Sequence, residues 1–357
     1  MSPGKRDPST KALEATAAIV GVAGTVLSDA EHELFLRHRP FGFILFARNC
    51  ENPDQVTSLV RDLRSAVGRR EAPVLIDQEG GRVARLKPPH WQTLPPPRRV
   101  GELAERDLEA GKDAAWLHAR LIAADLEPLG ITVNCSPVLD LGLQGQTEAI
   151  GDRTFSADPE VVAVLGRSTI AGYLAGGILP VIKHLPGHGR ATVDSHKHLP
   201  SVEAERSVLA GADWLPFKAN AGAQLGMTAH ILFPKLDQTA CATQSKAIVD
   251  EIIRGEIGFE GALLSDDLSM EALGGSLGDR AARARKAGCD LALHCNGDFD
   301  EMKAVLEAAG PLQNAALSRV ERAMAERRAP EPFDKTAGNN RLLDLLGLNE
   351  QTSKAVG

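Results

Sequence analysis

Eight short apolar runs recur along this chain, near residues 17–23, 41–47, 73–78, 131–136, 178–183, 225–230, 261–265 and 289–295. They are apolar at nearly every position rather than at every second one. Strict alternation marks a sheet with one wet face, whereas continuity marks parallel strands covered on both faces. The stretches between the runs have a different period. Residues 52–67 place Val56, Leu59, Val60 and Leu63 on one face of a helix. Residues 102–127, 159–176, 203–222, 243–257, 279–287 and 299–309 read the same way. Eight such strands alternating with helices predict one (β/α)8 TIM barrel. The rival is a doubly wound open sheet, but no Gly-x-Gly-x-x-Gly follows an early strand to support it.

The barrel is expected to occupy residues 13–327, after a polar, flexible stretch at 1–12. Residues 328–357 read as a linker, flexible over 328–340, then a short outer helix from Arg341 to Leu348 and a tail. The 357 residues are 43% hydrophobic and 24% charged, enough for a large core. A net charge of −7 argues against nucleic acid as the main partner. No apolar run is long enough to insert in a membrane. Residues 16–27 follow Lys5, Arg6 and Lys11 and have some features of a secretory signal. Their glycine content and Glu14 favour a first core strand instead. The cysteines, Cys50, Cys135, Cys241, Cys289 and Cys295, are odd in number and form no Cys-x-x-Cys pair. They read as buried free thiols in a reducing compartment, the cytoplasm.

Polar groups collect where the runs end. The third ends in Asp77-Gln78-Glu79, the fourth carries Asn134, the fifth ends in Lys183-His184, the sixth in His230 and the seventh in Asp266. In a barrel these strand ends form the active face. Asp194-Ser195-His196 follows the fifth run, and its spacing lets a carboxylate orient an imidazole for proton transfer. An ordinary turn with an exposed histidine is the bland alternative. Lys183 and His184 read either as hydrogen-bond donors to substrate hydroxyls or as a buried pair closing the barrel mouth. His188 and His198 read as architectural or solvated. Asp266 and Asp267 are adjacent on a strand and so face opposite ways. Asp266 is assigned to chemistry and Asp267 to capping or loop support. Asp77 could accept from sugar hydroxyls, Gly80-Gly81 could turn the backbone, and Arg82, Arg85 or Arg153 could reach the pocket. Trp91 reads as either a sugar-stacking or an exposed loop residue. Two other chemistries remain open at this point. One is a metal-dependent barrel hydrolase using His196, His198 and Asp266. The other is a Schiff-base aldolase using Lys183.

Taken together, Asp77-Gln-Glu-Gly-Gly-Arg-Val, Gly151-Asp-Arg153-Thr-Phe, Lys183-His-Leu-Pro-Gly-His-Gly, Asp194-Ser-His196 and Ser265-Asp-Asp-Leu-Ser-Met resemble glycoside hydrolase family 3. Within it, they are similar to the single-domain bacterial cytoplasmic β-N-acetylglucosaminidases of cell-wall recycling. The motifs stand in family order over roughly residues 17–310, with Leu185 where phenylalanine is common. The resemblance implies a retaining double displacement, with Asp266 as nucleophile, His196 as acid/base and Asp194 as its partner. It implies that Asp77, Arg85, Arg153, Lys183 and His184 bind the sugar. The implied substrate is a terminal β-linked N-acetylglucosamine, as in GlcNAc-anhydro-muramyl peptides. Neither metal nor cofactor is required, and the sequence leaves the oligomeric state open, a monomer being plausible. Phosphate, as in some relatives with a histidine acid/base, is the alternative acceptor to water. The loop over residues 184–199 is expected to close over substrate.

Overall fold

The structure, a computed structural model, describes residues 15–194 and 199–349. Eight parallel strands close into a barrel in sequence order. They are β1 Thr16–Gly21, β2 Pro40–Leu45, β3 Val74–Ile76, β4 Val133–Asn134, β5 Leu179–Leu185, β6 Leu225–Thr228, β7 Ala262–Asp267 and β8 Leu291–His294. Each predicted run overlaps one of them. The barrel shuts where β1 pairs with β8, with Ile19 opposite Leu293.

Burial explains why the runs are continuous. Ala17, Ile19, Ile44, Leu75, Val133, Leu179, Val181, Met227, Leu264 and Leu293 pack with one another inside the barrel. The residues between them, such as Ala18, Val20, Phe43, Leu45, Val74, Ile76, Ile182 and Leu263, join a second cluster under the helices. Both faces of each strand are therefore dry, as parallel sheets require. The period of two also sorts the strand ends. Asp77 continues the inward series of Leu75, Lys183 that of Val181, and Asp266 that of Leu264.

The helices are α1 Asp29–His38, α2 Pro53–Ala66, α3 Pro97–Ala104, α4 Leu108–Leu126, α5 Pro159–Ala175, α6 Arg206–Gly211, α7 Leu215–Ala219, α8 Leu277–Ala287, α9 Phe299–Ala309, α10 Asn314–Ala325 and α11 Lys335–Leu345. A π-type helix, Ile248–Glu256, stands between β6 and β7. The predicted helix over 102–127 is two helices, because Asp107 caps a new start by accepting from the Ala110 N–H. The stretch over 203–222 also divides, into α6 and α7. Two helices lie outside the predicted set. α1 begins at a capping box of Ser28 and Glu31. α10 sends Leu317, Val320 and Ala323 into the inner cluster, closing the bottom of the barrel.

The C-terminal stretch is more ordered than the sequence suggests. Residues 328–340 do not form a flexible linker, and the last helix starts at Lys335 rather than Arg341. Phe333 explains why. Its ring stands edge-on to Trp116 at 6.1 Å and lies under the Arg120 guanidinium at 4.5 Å. The Glu331 N–H also donates to the Ala175 carbonyl at 2.8 Å.

One close approach ties the outer layer to the barrel mouth. Gly101 of α3 lies against the backbone of Phe155, just past Arg153. A Cβ at Gly101 would fall 1.6 Å from the Phe155 carbonyl oxygen. The Arg98 Nη1 donates to the same oxygen at 2.9 Å. Gly101→Ala should therefore destabilise the chain by about 1–3 kcal/mol through overpacking. Urea unfolding checks this, and an unchanged midpoint and slope would contradict it.

Candidate active site

At the C-terminal end of the strands lies a cavity of about 370 Å³. Its floor is apolar, from Ile44, Phe46, Met227, Leu293 and Cys295. Its walls carry Asp77, Arg85, Arg153, Lys183, His184, Asp194 and Asp266. Those are seven of the eight residues to which the family resemblance gives a role. The eighth, His196, lies outside the described residues, as does His198.

The walls are held by a chain of buried ion pairs. Lys183 Nζ donates to Asp77 Oδ1 at 2.9 Å and forms an ion pair with Glu79 Oε1 at 2.7 Å. Arg153 grips Glu79 with two parallel bonds of 2.8 Å. Arg85 Nη2 donates to Asp77 Oδ2 at 3.0 Å and stacks over Phe46 at 4.8 Å. Burial alone would raise the Asp77 carboxyl, but Lys183 and Arg85 hold it below the usual carboxylate range. Glu79 is likewise raised by burial and then carried below its ordinary value by Arg153 and Lys183. Burial would lower the Lys183 ammonium, yet Asp77 and Glu79 keep it above its usual value. A lysine held so firmly protonated is a poor amine nucleophile, which counts against the Schiff-base reading.

His184 does not follow the strand's parity. By alternation it belongs with Ile182 under the helices. The register with β6 slips between Lys183 and Leu185, and His184 takes φ 140°. This bulge turns the ring toward the cavity at a conformational cost a non-glycine residue rarely bears. Asp140 meets the ring from below, its Oδ2 2.6 Å from His184 Nδ1. Its Oδ1 accepts the His188 backbone N–H, also at 2.6 Å. Burial pushes the Asp140 carboxyl well above its ordinary value, against the His188 N–H.

Asp266 lines the cavity, and its Oδ1 accepts the Asp267 N–H at 2.8 Å. That bond sets the rotation of the carboxylate. Asp267 supports the loop, accepting from the Ser269 and Cys295 N–H groups at 3.0 and 3.1 Å. From β6, His230 Nε2 donates to the Asp267 carbonyl at 2.9 Å, and Nδ1 lies 2.7 Å from Thr243 Oγ1. His230 therefore braces the strand that carries Asp266 rather than lining the cavity. Asn134 is also structural, donating to the Gln78 carbonyl and to the Tyr173 hydroxyl, both at 2.8 Å.

Other candidates take different places. Gly80 and Gly81 make the expected turn, with φ 94° and 56°. Arg82 also lines the cavity, where its guanidinium is held by Asp152 at 2.9 Å and the Ala149 carbonyl at 2.9 Å. Trp91 is neither exposed nor in the cavity wall; it is buried beside the helices. His188 is not solvated but buried at the cavity edge. Two members of the site carried no role in the sequence, Glu79 and Asp140. Glu79 stood inside a quoted motif. Asp140 lies in the plain run Val138-Leu139-Asp140-Leu141, where a lone buried carboxylate was the only signal. Among the described residues no group of three or more His, Cys, Asp or Glu side chains is placed to hold a metal ion.

Known proteins resemble this chain in sequence and in fold. The Glycosyl hydrolase family 3 N terminal domain matches residues 14–326. A β-hexosaminidase of Alkalilimnicola ehrlichii is 40% identical over 78% of this chain and 80% of its own. A β-hexosaminidase of Bordetella avium is 37% identical over 88% of this chain and 89% of its own. NagZ from Neisseria gonorrhoeae, solved in complex with N-trifluoroacetyl-D-glucosamine, superposes with a TM-score of 0.82 at 29% identity. The match covers 94% of this chain and 98% of that one.

The buried His188 gives the site a pH signature. Burial lowers its pKa to about 4, from 6.5 in the unfolded chain. Between those values the unfolded chain binds more protons, so the His188 contribution to stability is lost as pH falls. His188→Gln removes the term. The native chain's stability relative to this variant should drop by on the order of 2 kcal/mol between pH 7 and pH 4. Urea unfolding at both pH values measures it, and a constant difference would contradict it.

Proposed function

This chain belongs to glycosyl hydrolase family 3 and is a β-N-acetylhexosaminidase, and from that premise we propose a retaining double displacement on Asp266. The observation that carries the proposal is the position of Asp266. It continues the inward face of β7 and stands in a cavity whose other walls are fixed charges and hydrogen-bonding groups. Asp77, Arg85, Arg153, Lys183 and His184 form the half of the wall suited to a ring of hydroxyls. The apolar floor from Ile44, Phe46 and Leu293 suits the carbon face of a sugar.

In the first step an Asp266 oxygen forms a bond to the anomeric carbon. The bond from that carbon to the leaving oxygen breaks, and protonated His196 gives its proton to that oxygen. In the second step water attacks the anomeric carbon, neutral His196 takes a water proton, and the Asp266 carboxylate leaves. Two inversions retain the configuration. An imidazole, with an ordinary pKa near 6.5, can act as acid and then base near neutral pH. Asp194, which lines the cavity, supports its assignment as the carboxylate that orients His196.

The natural substrate we infer is a muropeptide with a terminal β-linked N-acetylglucosamine, the loop over residues 184–199 closing on it. The cytoplasm is the inferred compartment, supported by five cysteines that form no disulfide.

Incubation with a 2-deoxy-2-fluoro or 5-fluoro glycoside should leave a covalent adduct on the peptide containing Asp266, with or without EDTA. An adduct on another residue would overturn the nucleophile assignment. A requirement for zinc would favour the metal-dependent reading through His196, His198 and Asp266. His196→Ala should slow natural disaccharides far more than aryl glycosides with good leaving groups, by roughly 10²-fold or more. Equal losses on both would remove His196 from the acid/base role.

A further inference from the structure

Asp140 is buried, bridges two different segments of the site and has no part in the chemistry described above. Residues Val138 to Leu141 run beside the end of β5, where Val138 bridges to Lys183. The same stretch supports the start of the following loop. Gly189 is pressed so close that a Cβ would fall 2.4 Å from the Leu141 carbonyl oxygen. The Thr147 N–H donates to the Ala191 carbonyl at 2.9 Å. In this setting one Asp140 oxygen holds His184 Nδ1 and the other holds the His188 N–H.

The far side of the ring fixes where the proton sits. Arg153 Nη2 lies 3.4 Å from His184 Nε2. A guanidinium only donates. A proton on Nε2 would set two N–H groups against each other, whereas a lone pair there faces a donor. The proton therefore belongs on Nδ1, where Asp140 accepts it.

We propose that Asp140 is a positioning residue: it holds His184 as the Nδ1–H tautomer, so that Nε2 meets the substrate as an acceptor, and it ties that ring to the root of the loop carrying Asp194. This rests on the glycosidase reading above, and it reverses the donor role that the sequence suggested for His184. The chemical consequence is specific. Lys183, Arg85 and Arg153 only donate, and Asp77 and Asp266, as carboxylates, only accept. A group that reaches both Arg153 Nη2 and His184 Nε2 takes that lone pair in place of the guanidinium, so it must accept from one and donate to the other. A hydroxyl does both; an ether or a fluorine does not.

The test is two-bond ¹H–¹⁵N spectroscopy of the full chain at pH 7, with the His184 ring assigned from His184→Gln. The native chain should show Nδ1–H. Asp140→Asn keeps an oxygen for the His188 N–H but turns an NH2 toward Nδ1, which should move the ring proton to Nε2. Its kcat/KM on 4-nitrophenyl N-acetyl-β-D-glucosaminide should fall about tenfold or more, with thermal unfolding near that of the native chain. A native ring protonated on Nε2 overturns the proposal, and it does so whether or not the variant folds. So does a variant whose proton has moved but whose kcat/KM stays within twofold. Turnover of the same glycoside by the native chain decides the glycosidase reading separately, since the tautomer is read without substrate.

Discussion

The Lys183 ammonium, held between Asp77 and Glu79, is the interaction on which the site depends. It reaches across the barrel mouth from β5 to the end of β3, over the short β4 between them. An ion pair taken out of water gains stability only when its remaining donors and acceptors are also met. Here they are met by a chain. Glu79 takes Lys183 and the Nε–Nη2 edge of Arg153, while Asp77 takes Lys183 and Arg85. Removing one member strands the others in a nearly dry place. The same compensation keeps three cations fixed before any sugar arrives, so little reorganisation is left for the binding step.

Strand geometry supplies the rest. A barrel strand shows alternate side chains to its interior, so a residue two positions beyond an inward leucine or valine faces the mouth. Asp77 and Asp266 arrive there by that count alone. His184 arrives by breaking it, through a bulge and an unfavourable φ. Asp140 lies below that strained residue and holds its ring in place. Regularity places the two carboxylates, and a local irregularity places the imidazole between them and the loop.

Much of this was legible in the sequence. Continuous apolar runs announce strands buried on both faces, and a closed barrel is the simple way to bury eight of them. Strand-end polarity then pointed to the correct rim, and seven of the described candidates share one cavity. What escaped had physical reasons. α1 buries little besides Leu34 and Phe35, so its periodicity is faint and only its capping box betrays it. The ordering of residues 328–340 depends on Phe333 meeting Trp116 and Arg120, a contact between distant segments. Asn134 and His230 looked like site residues because a strand end cannot say which neighbours absorb a polar group. Asp140 went unseen for the opposite reason. Its partners, His184 and the His188 N–H, are more than forty residues away in the chain.

The claim that these charges exist as one compensated unit has a direct test in the stabilities of Glu79→Gln, Lys183→Met and the double variant, measured by urea unfolding. Breaking a buried pair from one side is costly, and removing both sides relieves much of that cost. The account predicts that the double variant is more stable than the sum of the single losses implies, by on the order of 2 kcal/mol. Single losses that add to within about 0.5 kcal/mol would mean the two residues act independently, and would contradict it.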